Sequence, residues 1–496
     1  MKIAGLDIGS TGCKFVVFDG AGNYLGKAYR DYPVRRKVGG HEVDAAALIE
    51  GVFEALKELA AKHPDIAGIG ITSFGESFVM TDERGEPLHD AMLYTDPRGA
   101  EECRELTEKL GADRIISITG LKPHEMYSVG KLMWLKRHRP EVFARAKHIC
   151  LMADFAAMRL CGSSLIDYSL ATRTMAFDIN TLGWSREILT AAGIDEALFD
   201  RPVPAGTVAG KVLPEVARRT GIDPECRIIL APHDQVAAAV GAGAFDGSVA
   251  VDGAGTVQCL TPIYDSLPDA RVMSRGNFCI VPHAVPGKYA TYAFSYSGGG
   301  LMQWYVDNYA KKEAELAAAE GLTVHKYLER QFRSDDPTGI LVLPHISGAA
   351  TPYMDIGSRG AIVGITADTG VTELYRACME GVVYEMRLNY DALKPTGVHF
   401  TRLNATGGGA KSRIWMQMKA DVLDLPITAL ETADAGTVGA AMLTGIAVGQ
   451  FPDLAAAAKA MVRERETYYP RAAMHAKYME VYERYKKLYE AVRPLV

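Results

Sequence analysis

The chain opens on KIAGLDI at 2–8, an apolar run that reads as a short strand ending at Asp7. Gly9-Ser10-Thr11-Gly12 supplies a turn, and KFVVFD at 14–19 reads as the return strand of a glycine-tipped hairpin. A further strand pair is expected in GNYLGKAYRDYPV. It precedes a helix through AAALIEGVFEALKELAAKH, whose apolar positions recur at helical spacing. IAGIGITS at 66–73 returns to strand, and PEVFARAKHICLMADFAAMRLCG mixes helical with extended patterning, so the first half reads as an α/β unit.

Around 247–260 the opening logic returns in GSVAVDGAGTVQCL: an apolar strand ending at Asp252, the turn Gly253-Ala254-Gly255-Thr256, and another strand. The repeat predicts two similarly built halves meeting near Phe245 to Ser248, that is, domains at 1–245 and 246–496. The second half continues with a strand in ILVLPHI and a helix across ELYRACMEGVVYEMRLNYDAL. A strand-loop-helix unit, RLNATGGGAKSRIWMQMKADVLD, follows, and EVYERYKKLYEAV reads as a charged amphipathic terminal helix.

Composition changes this picture only by exclusion. At 496 residues the chain suits two large domains, and 54 Lys plus Arg against 60 Asp plus Glu disfavours a nucleic-acid coat or a polybasic membrane surface. The eight cysteines form no CxxC pair and read as buried free thiols. MKIAGLDIGS meets acidic and glycine residues too early for a secretory signal, and VAAAVGAGAF at 236–245 is too short to cross a bilayer; a cytoplasmic protein is expected.

Chemistry is expected where glycine turns meet acidic strand ends. Two such turns are either plain tight hairpins that need glycine or let backbone N–H groups approach phosphate oxygens, with Asp7 placed to hold a hydrated Mg²⁺ and Thr11, Thr256 and Lys14 adding donors. No GxxxxGK[ST] and no GxGxxG occurs, so any phosphate site is built differently from a P-loop or a dinucleotide fold. Gly407-Gly408-Gly409-Ala410 lies between a strand and a helix. It suits either a flat ring near the backbone or a plain turn with Ser412 as helix cap. Asp234 in APHDQVAAAVGAG stands at an element tip, where a carboxylate either caps a helix or accepts a proton from a substrate hydroxyl. Glu76, Asp96 and Arg98 follow strands and are candidates for hydrogen-bonding a polyhydroxy ligand, with solvated turns as the alternative.

Together, GLDIGSTGCK, PHDQVAAAVGAG, VDGAGTVQC and ATGGGAKSRIWMQMKADVLDLPI resemble the FGGY family of carbohydrate kinases and occur in that family's order. MYSVGKLMWLKRH at 126–138 and GAIVGITADTGVTELYRACMEG at 360–381 are similar to two further signatures. The resemblance implies an α/β fold of two actin-like (ribonuclease-H-like) domains around a central cleft, the sugar mainly on the first and ATP with Mg²⁺ mainly on the second. It implies Asp7 on the magnesium side, Thr11 and Lys14 as phosphate-loop contacts, and Gly255 with Thr256 as the second phosphate loop. Gly299 and Gly300 would flank the phosphates, while Gly408, Gly409 and Ser412 match the adenosine motif. Asp234 would be the catalytic base and Gln235 a sugar contact.

At the sugar pocket the resemblance thins. Gly75-Glu76 stands where glycerol kinases of the family carry an Arg-Glu pair, and Met126, with Tyr127 adjacent, where they carry a substrate tyrosine. Xylulose kinases usually show Met-His-Gly where this chain has Phe74-Gly75-Glu76-Ser77. Glycerol is thereby disfavoured, and ketose, deoxy-ketose and longer polyol stay open as substrates. The expected activity is in-line transfer of the ATP γ-phosphoryl group to a sugar hydroxyl. The rivals are an actin-like ATPase switch and a sugar-sensing protein without transfer. Family members often form dimers or tetramers, so a homodimer is an open expectation.

Overall fold

The computed structural model describes residues 1–37, 39–432 and 434–496. Two six-stranded sheets organise it. The first comprises β1 (Lys2–Ile8), β2 (Gly12–Phe18), β3 (Tyr24–Asp31), β4 (Ile66–Ser73), β5 (Val208–Lys211) and β6 (Arg227–Leu230), in the order β3-β2-β1-β4-β6-β5. The second comprises β7 (Val249–Ala254), β8 (Gln258–Thr261), β9 (Ala293–Ser295), β10 (Arg402–Thr406), β11 (Ile427–Leu430) and β12 (Glu464–Tyr468), in the order β9-β8-β7-β10-β11-β12. Directions also match. An antiparallel hairpin leads in each sheet, two parallel pairings follow, and an antiparallel strand closes the edge. These are the two actin-like α/β units expected from the resemblance.

The strands form where the apolar pattern placed them, because side chains from both faces of β1 are covered. Ile3, Ala4, Leu6 and Ile8 are all buried. Helix α1 (Ala45–Ala60) starts where the Asp44 carboxylate accepts from Ala47 N, and it buries Leu48, Ile49, Val52, Phe53 and Leu56. Of the eight cysteines, all free, only Cys161 is partly exposed.

Three local expectations need correction. The segment GNYLGKAYRDYPV is not a strand pair: Tyr24–Asp31 is one long strand of the first sheet, and Val34–Lys37 starts a different five-stranded sheet. The terminal helix begins earlier, at Ala472, and breaks into Ala472–Tyr485 and Leu488–Val492. Asp252 does not end its strand. It sits inside β7, fully buried and paired with the equally buried Lys419, whose Nζ lies 2.7 Å from Oδ2.

Helices α2 (Asp234–Gly241), α3 (Gly299–Tyr309), α4 (Val371–Leu393), α5 (Arg413–Leu423) and α6 (Ala435–Ala447) complete the frame of the site. Although α6 comes from the second half of the chain, it packs on β1 and β4 of the first sheet. Glycines permit the approach: a Cβ on Gly5 would lie 2.1 Å from Thr437 O, and one on Gly70 would lie 2.4 Å from Ala440 O. Helix α6 also crosses α2, with Gly241 against Ala435 O and Gly439 against Ala237 O, each leaving only 1.9 Å for a Cβ. Beyond α2, Asn404 of β10 donates through Nδ2 to Ala242 O at 2.7 Å, tying that helix end to the second sheet. Among the described residues no helix is long and apolar enough to cross a membrane.

Candidate active site between the two sheets

Asp234 is the first residue of α2, with His233 before it as the N-cap position, so its side chain does not cap the helix. The hydrogen bond that fixes this corner runs from His233 N to Ser169 Oγ at 2.7 Å. Ser169 is held in turn by Asp167, whose carboxylate caps the short helix Tyr168–Thr172. Asp234 Oδ1 is buried and has no hydrogen-bond partner among the described residues, although His233 Nε2 stands 3.3 Å away. Burial keeps His233 neutral, and its Nδ1 is 2.9 Å from the Tyr292 hydroxyl. Burial first, then the charges of Asp7 and Glu76, push the Asp234 carboxyl up to about 8.

Asp7 lies on β1 beside Lys14 of β2, and Gly436 at the start of α6 faces both Asp7 and Asp234, with a built Cβ 3.4 Å from Asp7 Oδ2 and 3.9 Å from Asp234 O. Desolvation raises Asp7 to about 6; Lys14 opposes that rise and Asp434 adds to it. Lys14 Nζ reaches Asp434 Oδ1 at 2.5 Å. Thr11, at the hairpin tip, is exposed, and its carbonyl accepts from Tyr32 N at 3.2 Å. Asp7 therefore offers a carboxylate that no described hydrogen bond consumes, which fits a hydrated divalent cation.

The second turn differs. Gly255 O accepts from Gly299 N at 2.8 Å, and Thr256 O accepts from Gly300 N at 3.0 Å and Gly298 N at 2.9 Å. This seats the N-terminus of α3 directly on the loop. Side chains would block that seating, since a Cβ on Gly299 would fall 2.9 Å from Gly255 O. Gly407 has φ 91° and its Cβ position lies 2.7 Å from Ala254 O, so the Gly407 to Gly409 run is drawn onto the same strand end. Gly408 alone faces open space, which suits a flat ring or phosphate approaching the backbone. Ser412 does cap α5, accepting from Trp415 N at 3.0 Å, and also donates to Glu329 Oε1 at 2.6 Å.

Glu76 is buried in the left-handed region, φ 65°, and Gln235 is partly buried next to Asp234. Asp96 and Arg98 are joined mainly to each other. Asp96 accepts from Arg98 Nε at 2.9 Å, Arg98 Nη2 at 2.6 Å and His41 N at 2.7 Å, while Arg98 also reaches Glu42 Oε1 at 2.6 Å. The Asp96 carboxylate is thus spent inside the protein. Sequence reasoning missed Arg173, which pairs with Glu76, and it gave no role to Tyr292. The only local hint for Arg173 was the capped turn DYSLATRT ahead of it.

Elsewhere in the first half, Cys150, Asp154 and Asp200 bring their ligand atoms within 4.8 Å of one another. Burial raises all three, and Asp200 already faces His148 Nδ1 at 3.3 Å and accepts from the Cys150 thiol at 3.8 Å.

Residues 2–241 match the N-terminal domain of the FGGY family of carbohydrate kinases, and residues 267–448 match its C-terminal domain. The chain belongs to the FGGY family. It is 28% identical to a xylulose kinase of Lactococcus lactis, over 98% of this chain and 96% of that one. It is also 28% identical to a gluconokinase of Bacillus subtilis, over 90% and 87%. The structure of a ligand-bound xylulose kinase from Lactobacillus acidophilus superposes with a TM-score of 0.89 at 25% identity, covering 99% of this chain and 98% of that one. This FGGY member is accordingly a carbohydrate kinase whose activity is ATP-dependent phosphorylation of a sugar.

Proposed function

We propose that the enzyme transfers the γ-phosphoryl group of ATP to a hydroxyl of a ketose or polyol, with Asp234 accepting the hydroxyl proton. The observation that carries this reading is the buried Oδ1 of Asp234, unpartnered among the described residues, on a carboxyl that the charges of Asp7, Glu76 and Arg173 act upon. A carboxylate in that setting is basic enough to take a proton near neutral pH and needs a hydroxyl to satisfy it. Asp7 would hold Mg²⁺; Thr11, Lys14, Gly255, Thr256, Gly299 and Gly300 would border the phosphates; Gly408, Gly409 and Ser412 would border the adenosine. When bound, Mg·ATP supplies the phosphoryl group and spreads the charge of its oxygens.

Glu76 and Gln235 would orient the sugar, while Asp96 would act by holding Arg98 in place. Closing the two sheets' units over the sugar would keep water from Asp234, which limits wasteful ATP hydrolysis. The relatives called xylulose kinase support a ketose, and the reaction is proposed to be cytoplasmic, where ATP is supplied.

The test is ADP release with Mg·ATP across ketoses, deoxy-ketoses, polyols and aldonates, with a sugar-free control and Asp234→Asn. Stimulation by one sugar that disappears in the variant supports the reading. Hydrolysis indifferent to every sugar replaces it with the ATPase switch.

A further inference from the structure

Arg173 is 4% exposed and Glu76 5%, which makes theirs a buried ion pair whose partners lie 97 residues apart. Arg173 Nε donates to Glu76 Oε1 at 2.6 Å, and Nη2 contacts the same oxygen. The guanidinium carbon lies 5.1 Å from the ring centre of Tyr127 and 5.6 Å from that of Tyr292. Gly75 makes room for it, since a Cβ there would meet Arg173 Cγ at 2.7 Å. The arginine absent beside Glu76 in sequence is therefore supplied in space from another segment. Buried polar groups are nearly always hydrogen-bonded, yet Arg173 Nη1 has no partner among the described residues. The same holds for the acceptor Asp234 Oδ1, whose ionisation both Glu76 and Arg173 influence.

One unpaired donor and one unpaired acceptor complement a ligand that both gives and takes hydrogen bonds, as a hydroxylated carbon chain does. A carboxylate placed at these two atoms gives none to Asp234 Oδ1, whatever hydroxyls the molecule carries elsewhere. Charge argues the same way: Glu76 already consumes the Arg173 charge, so the guanidinium offers a carboxylate no unpaired cation. An anionic sugar would gain no net charge attraction from that pair.

We propose that Arg173 determines substrate specificity by donating from Nη1 to a hydroxyl or carbonyl oxygen of an uncharged ketose or polyol, and that its pairing with Glu76 rejects sugar acids. This rests on the phosphoryl-transfer reading above. The residue is one that touches substrate; Glu76 positions it and sets its net charge.

The experiment compares kcat and KM for the best neutral sugar and for gluconate in the wild type, Arg173→Gln, Arg173→Lys and Glu76→Gln, with ADP binding measured in each as the control for folding. Loss of one hydrogen bond from a charged donor predicts a KM for the neutral sugar raised about tenfold to a hundredfold in Arg173→Gln, with ADP affinity unchanged. Arg173→Lys should recover part of that loss, since it keeps the cation without the fork. Freed of its carboxylate partner in Glu76→Gln, the guanidinium should shift the gluconate-to-neutral ratio of kcat/KM toward gluconate.

A wild type that prefers gluconate to every neutral sugar overturns the proposal. So does an Arg173→Gln enzyme whose KM for the neutral sugar is unchanged while Asp234→Asn is inactive, and that result leaves the kinase reading standing. If Arg173→Gln does not bind ADP, Arg173→Lys decides alone: an unchanged KM overturns the proposal and a raised one with normal ADP binding supports it. Indifference of the wild type to all sugars overturns the phosphoryl-transfer reading and this inference with it.

Discussion

Lys14 Nζ lies 2.5 Å from Asp434 Oδ1, an ion pair that joins the first hairpin to the residue before α6 across 420 positions of sequence. Both side chains are partly solvated, so the pair contributes little to stability, under about 1 kcal/mol. Its place beside Asp7 makes it an electrostatic part of the site instead. Lys14→Met should leave the melting temperature within about 4 °C of wild type. Turnover should fall about tenfold to a thousandfold, as when one charge-stabilising donor is removed from a transition state. Calorimetry and steady-state ADP release check the two halves.

The raised Asp234 carboxyl sets a pH dependence. A base must be unprotonated to act, so kcat/KM should climb as pH rises through about 8, the value that burial, Asp7 and Glu76 impose on the free enzyme. Glu76→Gln removes one of the charges that raise it and leaves Arg173, which lowers it, without its partner. The ascending limb should then move to lower pH. A limb that stays in place in that variant would detach Asp234 from Glu76.

The same shift makes a stability prediction. An acid whose folded pKa is raised stabilises the fold below its unfolded value near 3.8, and that contribution is lost as pH rises through about 8. Asp234→Asn removes the ionisation. Its melting temperature should exceed that of wild type at pH 9, and the gain should shrink as pH falls to 5.

Asp252 and Lys419 are both fully buried, with Gln258 Oε1 accepting a further bond from Lys419 Nζ at 2.9 Å. Lys419→Met strands a carboxylate in the core and should cost about 3–5 kcal/mol in denaturant unfolding. Pairing it with Asp252→Leu should restore much of that, because replacing both charges removes the unpaired one.

At the crossing of α2 and α6 there is no room for a side chain: a Cβ on Gly439 would stand 1.9 Å from Ala237 O. Gly439→Ala should force the helices apart, destabilising the protein by about 1–3 kcal/mol or more. Because α2 carries Asp234 and α6 begins beside Asp7, kcat should drop as well. Unfolding curves and turnover measured on one preparation check both.

Several features were written in short stretches of chain. The hairpins after Asp7 and Asp252, the second with its turn at 255–257 instead of 253–256, the apolar strands 2–8 and 66–73, and the helix from Ala45 follow from local turn chemistry and periodicity, which act over about ten residues. The repeated Asp-x-x-x-Thr at Asp7 and Asp252 even announced two similar halves. It did not announce that one aspartate faces the site while the other is neutralised by Lys419, 167 residues away.

Only the tertiary structure decided such pairings. Arg173 drew no reading from the sequence, and only the fold sets it beside Glu76 in the space that Gly75 leaves; α6 belonged to the second half until glycines at 5 and 70 let it lie on the first sheet. Local sequence fixes which backbone shapes are cheap, whereas a buried charge finds its partner only when distant segments are packed together and water is excluded. That exclusion gives Asp234 its raised pKa and leaves the Arg173 donor unpaired, and neither property exists in the extended chain.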